Sequence, residues 1–379
     1  MTKKFWFVLA LILFVSQGII FCAADEVPKK AVKLVKKADE ALQKQKYDKA
    51  LEAYDNAIQL APEYALAYFG KGRLLMIQKN VDEAIKNLEK AIELDPEAAE
   101  IKQFFAQELF KLGGEAVNQR QFNQSNTYFL KLVNIPGIET LDMKILQDTL
   151  FQLGTNYYMM RKSEESNKYY LKILALPGIA NAEKRLLIQT TYQVGANYSA
   201  LKEHKKAIDF FVKLLEYPEL QVDYQTLYLS TLYMVGLNAN FAGDYQGSIK
   251  YLTQFLESGE ASPGHTQFLP LANLLIGSSH MTILQNEVAK IKKDEDKIKK
   301  VAELAKSKNA IETHLSKAIE LKPDLEPAYM HLGNYYYYCN ELDKTIETYK
   351  KLIALFPDSP DLGQYKKFLA EIEKEAKNK

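Results

Sequence analysis

Residues 65–98 read ALAYFGKGRLLMIQKNVDEAIKNLEKAIELDPEA, and this stretch decides the fold. Twelve residues after Gly72 stands a second small residue, Ala84, and four residues further on stands the large Leu88. Two antiparallel helices approach closely where a small residue faces a large one, so this spacing predicts a helical hairpin. Pro96 follows the second apolar run and ends the second helix, because proline cannot continue it.

The same pattern recurs along the chain. The small residue of the first helix, called the landmark below, stands at Ala38, Gly72, Gly113, Gly154, Gly195, Gly236, Gly277 and Gly333. Successive landmark numbers therefore differ by 34 once, then by 41 five times, then by 56. A closing proline follows at Pro62, Pro96, Pro136, Pro177, Pro218, Pro323 and Pro357. A fixed period of this length predicts a stack of helical hairpins, each burying its apolar face against its neighbours.

The segments 31–64, 65–98 and 326–359 resemble the 34-residue unit of the tetratricopeptide repeat family. The resemblance implies an all-α fold: an α-solenoid of about eight helix hairpins in a right-handed superhelix, with a C-terminal capping helix. It implies a scaffold that hosts many kinds of partner, and it is uninformative about which one.

Departures from the 34-residue unit divide the chain. We expect an N-terminal export segment in 1–24, two regular units in 25–98, and four units with longer first helices in 99–265. A unit with an extended charged helical hairpin, carrying Lys292, Lys293 and Lys297, is expected in 266–325. This hairpin is expected to project beyond the body of the solenoid. A last unit and its capping helix fill 326–379. The four units in 99–265 are each seven residues longer than a regular unit. Seven residues make about two helical turns, so this insertion returns the side chains to nearly the same helix face.

The N-terminus has the pattern of a signal peptide. Lys3 and Lys4 precede the apolar run 5–15, and Cys22-Ala23-Ala24 provides small residues for cleavage. The alternative is an uncleaved membrane anchor, because the uncharged run is about 20 residues, the length that spans a bilayer. Both interpretations place the rest of the chain outside the cytoplasm, as a periplasmic, secreted or membrane-anchored protein.

Composition and motifs argue against several function classes. With 49 Lys and Arg against 48 Asp and Glu, the net charge of +1 provides no overall attraction to nucleic acid. The five histidines are scattered, none with a second His or Cys at ligand spacing, so no metal site is expected. Nucleotide-binding and nucleophile motifs are lacking, and we expect neither an enzyme nor a cofactor.

A bulky side chain stands three residues before each landmark, and in five consecutive units it is aromatic. In proteins that resemble this one, that side of the first helix lines a concave groove, which gives the candidate site Phe69, Phe110, Phe151, Tyr158, Tyr192, Tyr233, Phe241, Met330 and Tyr337. The alternative is that these rings only pack between repeats. The family's Lys- and Asn-based clamp for a terminal carboxylate has no counterpart here, so an apolar or aromatic-rich protein segment is the expected partner.

The leading hypothesis is therefore an extracytoplasmic scaffold or adaptor that holds a peptide or protein segment during assembly of an envelope or secreted complex. A second hypothesis is a structural component of an envelope complex that self-associates into a homo-oligomer. A third, an unfamiliar enzyme or a carrier of a small apolar ligand, requires a closed cavity with converging polar groups. No nucleic acid is expected among the partners.

Overall fold

A computed structural model describes residues 27–179, 183–259, 263–291 and 297–378. The expected export segment 1–24, and Lys292 and Lys293 of the expected hairpin, lie outside these residues. The described residues form α-helices, a 3₁₀-helix and no strand, which confirms the all-α prediction.

The helices follow one another in pairs joined by short turns. Their bounds are α1 Lys29–Gln43, α2 Tyr47–Leu60, α3 Ala65–Ile77, α4 Val81–Leu94, α5 Ala99–Asn118, α6 Phe122–Val133, α7 Ile138–Leu141, α8 Met143–Met159, α9 Ser163–Leu174, α10 Lys184–Ala200, α11 His204–Leu215, α12 Pro218–Asp223, α13 Gln225–Phe241, α14 Tyr245–Gly259, α15 Leu269–Val288, α16 Lys297–Lys306, α17 Ala310–Leu321, α18 Glu326–Tyr338, α19 Leu342–Leu355 and α20 Leu362–Lys377, with the 3₁₀-helix at Pro263–Phe268.

The chain divides into two compact units. Unit 1 holds the described residues up to Glu108 together with Ile135–Leu141, and unit 2 holds Leu109–Asn134 and Asp142–Lys379. In unit 1, α1 packs on α2 and α3 on α4. In unit 2, the hairpins are α8 with α9, α10 with α11, α13 with α14, α15 with α17, and α18 with α19. Each hairpin packs on the next within its unit, as expected for a solenoid.

The landmark glycines lie where the two helices of a hairpin touch. A Cβ added at Gly154 would stand 2.6 Å from the buried Tyr170 ring, and one at Gly72 would stand 2.8 Å from Leu88. Such distances are far below van der Waals contact, so only glycine allows these helices to approach so closely. The predicted pairing of a small residue with a large one is thus confirmed in both units.

For seven of the eight landmarks, all except Gly277, a left-handed residue stands seven positions later, just after the end of the first helix. The positions are Gln45, Lys79, Arg120, Arg161, Lys202, Gly243 and Asn340, with φ between 56° and 80°. At Arg161 the turn closes through two bonds, from Arg161 N–H to the Tyr158 carbonyl at 2.8 Å and from Lys162 N–H to the Tyr157 carbonyl at 2.9 Å. These bonds satisfy carbonyls at the helix end and reverse the chain into the second helix.

The 41-residue units differ from the regular ones in two ways. First helices α8, α10 and α13 have 17 residues each, against 13 in α3. The rest of the extra length lies between hairpins, where the short helices α7 and α12 follow Pro136 and begin at Pro218. The insertion therefore extends both the first helix and the connection that precedes it.

Buried asparagines connect neighbouring hairpins in the 41-residue units. Asn156 on α8 donates from Nδ2 to Ser125 Oγ at 3.0 Å and to Asn126 Oδ1 at 2.8 Å, and all three side chains are buried. The same contacts recur one unit later, from Asn197 to Ser166 Oγ at 2.8 Å and to Asn167 Oδ1 at 2.9 Å. We call these six residues the asparagine–serine network. Serine replaces the usual alanine here because the next hairpin supplies a donor to it.

The extended unit corrects one expectation. Its second arm, α16, does not stand clear of the body over its described length, since Ala305 is fully buried in one cluster with Leu284 and Cys339. A turn at 307–309 separates α16 from α17, and Lys308 Nζ reaches Glu287 of α15 at 3.2 Å. The apolar face of α16 thus packs against α15 and α18 instead of projecting. The tip of the hairpin, 292–296, lies outside the described residues.

Three histidines in α15, α17 and α18 make the stability of unit 2 dependent on pH. Burial lowers the pKa of His280, His314 and His331 below the ordinary value of 6.5. As the pH falls below about 6.5 the unfolded chain binds more protons than the folded one, so the free energy of unfolding declines. We expect the melting temperature, followed by circular dichroism, to drop between about pH 6.5 and pH 5. Replacing all three histidines by Gln should flatten that drop, and a wild-type profile already flat over this range would contradict the assignment.

Candidate partner-binding groove

The aromatic residues of the first helices pair with large residues of the second helices. Within unit 2 the ring centroids lie 6.0 Å apart for Phe110 and Phe129, and 5.5 Å apart for Phe151 and Tyr170, for Tyr192 and Phe211, and for Tyr233 and Phe255. Tilted or edge-on pairs at this distance are favourable beyond the area they bury. The aromatic stripe therefore has a structural role in every one of these hairpins.

Two residues of the aromatic stripe, Phe69 and Tyr233, serve only to pack the core. Each of these side chains is only 6 % exposed. The Phe69 ring packs edge-on against Phe104 at 5.5 Å, and Tyr233 is also covered by Phe268 at 4.8 Å. The prediction that these two side chains contact a partner is wrong, because neighbouring rings already occupy their faces.

Phe110, Phe151 and Tyr192 are half-buried, and they line two consecutive pockets in unit 2. The larger pocket, of about 780 Å³, lies between α10 and α13 and is open to solvent. Its lining residues are Phe151, Gln189, Tyr192, Gln193, Val222, Asp223, Tyr224, Gln225, Thr226, Leu227 and Ser230. The rings thus keep one edge toward solvent while the other packs on the second helix.

The smaller pocket, of about 330 Å³, lies between α8 and α10. It is lined by Phe110, Lys144, Asp148, Phe151, Gln152, Glu183, Arg185, Leu186 and Gln189. Phe151 and Gln189 belong to both pockets, so the two form one continuous depression across three successive first helices. We call the residues lining both pockets the aromatic groove.

The α10–α13 end of the aromatic groove is almost uncharged. Among the described residues that line it, Asp223 is the only one with a carboxylate, and the remaining polar groups are amides, hydroxyls and the phenols of Tyr192 and Tyr224. Burial raises the pKa of Tyr192, with the nearby phenol of Tyr158 adding to the shift, so this ring stays neutral at physiological pH. At the other end, Lys144 is paired with Asp148 at 2.8 Å, which leaves the lining charges balanced.

Tyr158 and Phe241 are not among the residues that line the aromatic groove. Tyr158 is exposed at the end of α8, and Phe241 is exposed at the end of α13, about 17 Å along the helix from Ser230. Phe241 stacks on the His204 ring at 5.1 Å, and the His204 Nδ1 lies 2.8 Å from Asn238 Oδ1. Both exposed rings therefore lie at the C-terminal ends of their first helices.

Residues from the C-terminal hairpins form a separate surface. Met330 is half-buried in the cluster of Tyr329, Tyr349 and Tyr365, which makes it part of the core. Tyr337 and Lys297 line a third pocket of about 360 Å³, together with Val288, Ile298, Val301, Tyr338, Asn340 and Glu375. The predicted groove and hairpin residues therefore meet here, at what we call the C-terminal pocket.

Sequence reasoning missed the glutamines Gln193 and Gln225. Gln193 stands two residues before its landmark, as Gln152 does one unit earlier, so the repeat period carried the signal. Side-chain amides of this kind both donate and accept hydrogen bonds, which suits them to a peptide backbone.

The described part of the chain has neither a cluster of metal ligands nor a helix suited to cross a membrane. Residues 27–179, 183–259, 263–291 and 297–378 include no group of three or more His, Cys, Asp and Glu side chains arranged to hold a metal ion. None of the helices in these ranges combines the length and the apolar character that crossing a membrane requires.

Comparison with known proteins bears on the fold. Two family models described as tetratricopeptide repeat match residues 35–99 and 327–359. Among solved structures, the chain is similar to the TPR domain of P58(IPK), at 11% identity and a TM-score of 0.31, covering 92% of this chain and 99% of that one. It is also similar to pilF of Pseudomonas aeruginosa, at 16% identity and a TM-score of 0.30, covering 63% and 96%.

A third similar structure is YrrB, described as a TPR protein with an unusual peptide-binding site, at 15% identity and a TM-score of 0.25, covering 61% of this chain and 88% of that one. No curated protein sequence matches the chain. The family models thus identify the repeats, and the distant structural matches add no argument about a ligand.

Proposed function

Because this chain belongs to the tetratricopeptide repeat family, we propose that it is a non-catalytic scaffold whose aromatic groove binds an extended segment of another protein. The observation that supports this most directly is the continuity of the two pockets, which share Phe151 and Gln189 across α8, α10 and α13. An extended chain can lie across successive first helices, whereas a compact small ligand would fill one pocket only.

The lining of the aromatic groove indicates the chemistry of the segment. Three amides at the α10–α13 end, those of Gln189, Gln193 and Gln225, can pair with the N–H and C=O groups of an extended backbone. The exposed edges of Phe151 and Tyr192 favour apolar or aromatic side chains beside that backbone. Since Asp223 carries the single charge among the described lining residues of this end, a strongly charged segment gains little there, and we propose a segment of low charge.

The export pattern of residues 1–24 supports a site of action outside the cytoplasm. We propose assembly of an envelope or secreted complex as the process, with the scaffold holding one component in an extended form. The alternative is a self-associating structural protein, and the C-terminal pocket favours it, since Ile298, which lines that pocket, is 63 % exposed. Sedimentation over a range of concentrations separates the two, because a stable monomer argues against self-association.

The test of the groove introduces positive charge at lining glutamines that are not part of the buried core. In the full chain, Gln189, Gln193 and Gln225 are replaced together by Arg. The matched control replaces the solvent-facing residues Gln119, Gln246 and Gln254 of the same unit by Arg, so that both variants gain equal charge. A photo-crosslinking residue at Val222, which is exposed at the edge of the groove, identifies the bound segment in the native setting.

A synthetic peptide of the crosslinked segment is then titrated calorimetrically against both variants. We expect the groove variant to raise Kd at least about tenfold, equivalent to about 1.4 kcal/mol, and the control to leave it unchanged. Equal effects of the two variants, or a crosslinked segment dense in charge, would show that the aromatic groove does not select the partner.

A further inference from the structure

The first helix, α1, carries a concentrated positive face. Five of its first nine residues are lysines, none is acidic, and all five are solvent-exposed: Lys29, Lys30, Lys33, Lys36 and Lys37. At about 100° per residue they fall within an arc of about 120°, opposite the buried stripe of Ala31, Val35, Ala38 and Leu42. We call these five residues the α1 lysine face.

Within the described part of the chain, no ion pair neutralises the α1 lysine face. None of its ammonium groups lies within ion-pairing distance of a described carboxylate, although lysines elsewhere form such pairs, as Lys71 does with Asp55 at 2.7 Å. Five like charges on about three turns of helix repel one another, and an anionic surface relieves that repulsion. The whole chain has a net charge of +1, so this charge density is local to α1.

Two features beside the α1 lysine face point to a membrane. Val27 and Val32 stand next to the lysines and are 37 % and 44 % exposed, which suits the boundary between headgroups and acyl chains. In the sequence, the uncharged run 5–24 ends four residues before α1, and two of those four residues, Asp25 and Glu26, are acidic. A basic segment directly after such a run lies near a bilayer whenever the run enters one.

We propose that the α1 lysine face docks on the anionic phospholipid headgroups of a membrane and holds the solenoid there by its first helix. Each lysine near such a surface raises affinity about fivefold, and the attraction falls with salt within a Debye length. This surface is in unit 1, whereas the aromatic groove is in unit 2, so binding of lipid and of a protein segment use different residues. The inference does not depend on the proposed function.

The test compares two variants of the full chain that lose the same charge. One replaces Lys29, Lys30, Lys33 and Lys37 by Gln, and the control replaces Lys366, Lys367, Lys374 and Lys377 of α20, which are also exposed, by Gln. The chains are synthesised in a cell-free reaction beside vesicles of phosphatidylcholine, either pure or with about one third phosphatidylglycerol, and binding is measured by flotation over a range of lipid concentrations. Residues 1–24 are the same in all three chains, so a difference in binding between the chains is due to the replaced lysines.

We expect the wild type and the α20 control to prefer the anionic vesicles at least about tenfold, and the α1 variant to lose that preference. Raising the salt should remove the preference from the wild type as well. An α1 variant that keeps the preference, or an α20 control that loses as much, would overturn the proposal. So would a result in which the α1 variant loses binding to duplex DNA while its vesicle binding is unchanged, since the face would then serve a nucleic acid.

Discussion

Replacing Gly113 by Ala is expected to lower the free energy of unfolding by about 1–3 kcal/mol, while the same change at the adjacent Gly114 leaves it unchanged or raises it. Both glycines lie on α5. A Cβ at Gly113 would overlap the ring of Phe129, which is fully buried and cannot swing away, whereas a Cβ at Gly114 meets no atom within 4 Å. The two substitutions add the same methyl group to one helix, so their difference isolates the helix–helix contact.

Urea denaturation followed by circular dichroism measures both changes, with the transition midpoint read for each variant. Phe129→Ala removes the ring that the added Cβ overlaps, so Gly113→Ala should cost less in that background, which a double-mutant cycle records as a favourable coupling between the two sites. Equal midpoints for the Gly113 and Gly114 variants would contradict the close approach of α5 and α6.

The second large effect is expected at Asn156. Asn156→Leu removes the donor to Ser125 Oγ and Asn126 Oδ1 and leaves both partners buried, at a cost of about 2–3 kcal/mol. Burying a polar group without a partner is costly, whereas removing all members of the network together is nearly neutral. The triple variant Ser125→Ala, Asn126→Ile and Asn156→Leu should therefore recover most of the stability lost in the single variant.

An Ala-Ile pair already occurs in this chain at the positions of α11 that correspond to Ser125 and Asn126, as Ala207 and Ile208. Thermal and urea midpoints of the single and triple variants decide the matter. A triple variant less stable than Asn156→Leu would mean that the side chains matter through their volume and not through their hydrogen bonds.

Much of the fold could be predicted from the sequence because the repeat is a local rule. Landmark spacing locates each hairpin, and a glycine such as Gly154 can be matched to Tyr170 sixteen residues later without knowing anything else. The left-handed corners were not predictable in the same way, because Lys79 and Arg161 are not residue types that favour positive φ. They adopt it because the two helices on either side are already held together.

The site was harder to predict because an aromatic residue at the same position of each repeat either lines the groove or is covered by a neighbouring ring. Phe151 and Tyr233 occupy the same place in their units, yet Phe151 lines the aromatic groove while Phe268 closes the space over Tyr233. That closure depends on the 3₁₀-helix after α14, which belongs to a different repeat. Spacing within one repeat cannot show what the next connection places above a ring.

The asparagine–serine network also limits how such a chain can change its length. A copy of one whole 41-residue segment, inserted next to its original within the run from Ser125 to Asn197, would bring a new donor and a new acceptor that still match. A shorter segment such as 65–98 placed there would put Ala84 opposite the side-chain amide of an asparagine. That amide would then be buried without a hydrogen-bond partner. Gain or loss of a whole 41-residue unit between two units of the same kind therefore keeps the buried hydrogen bonds. A join between units of different kinds loses them and lowers the stability.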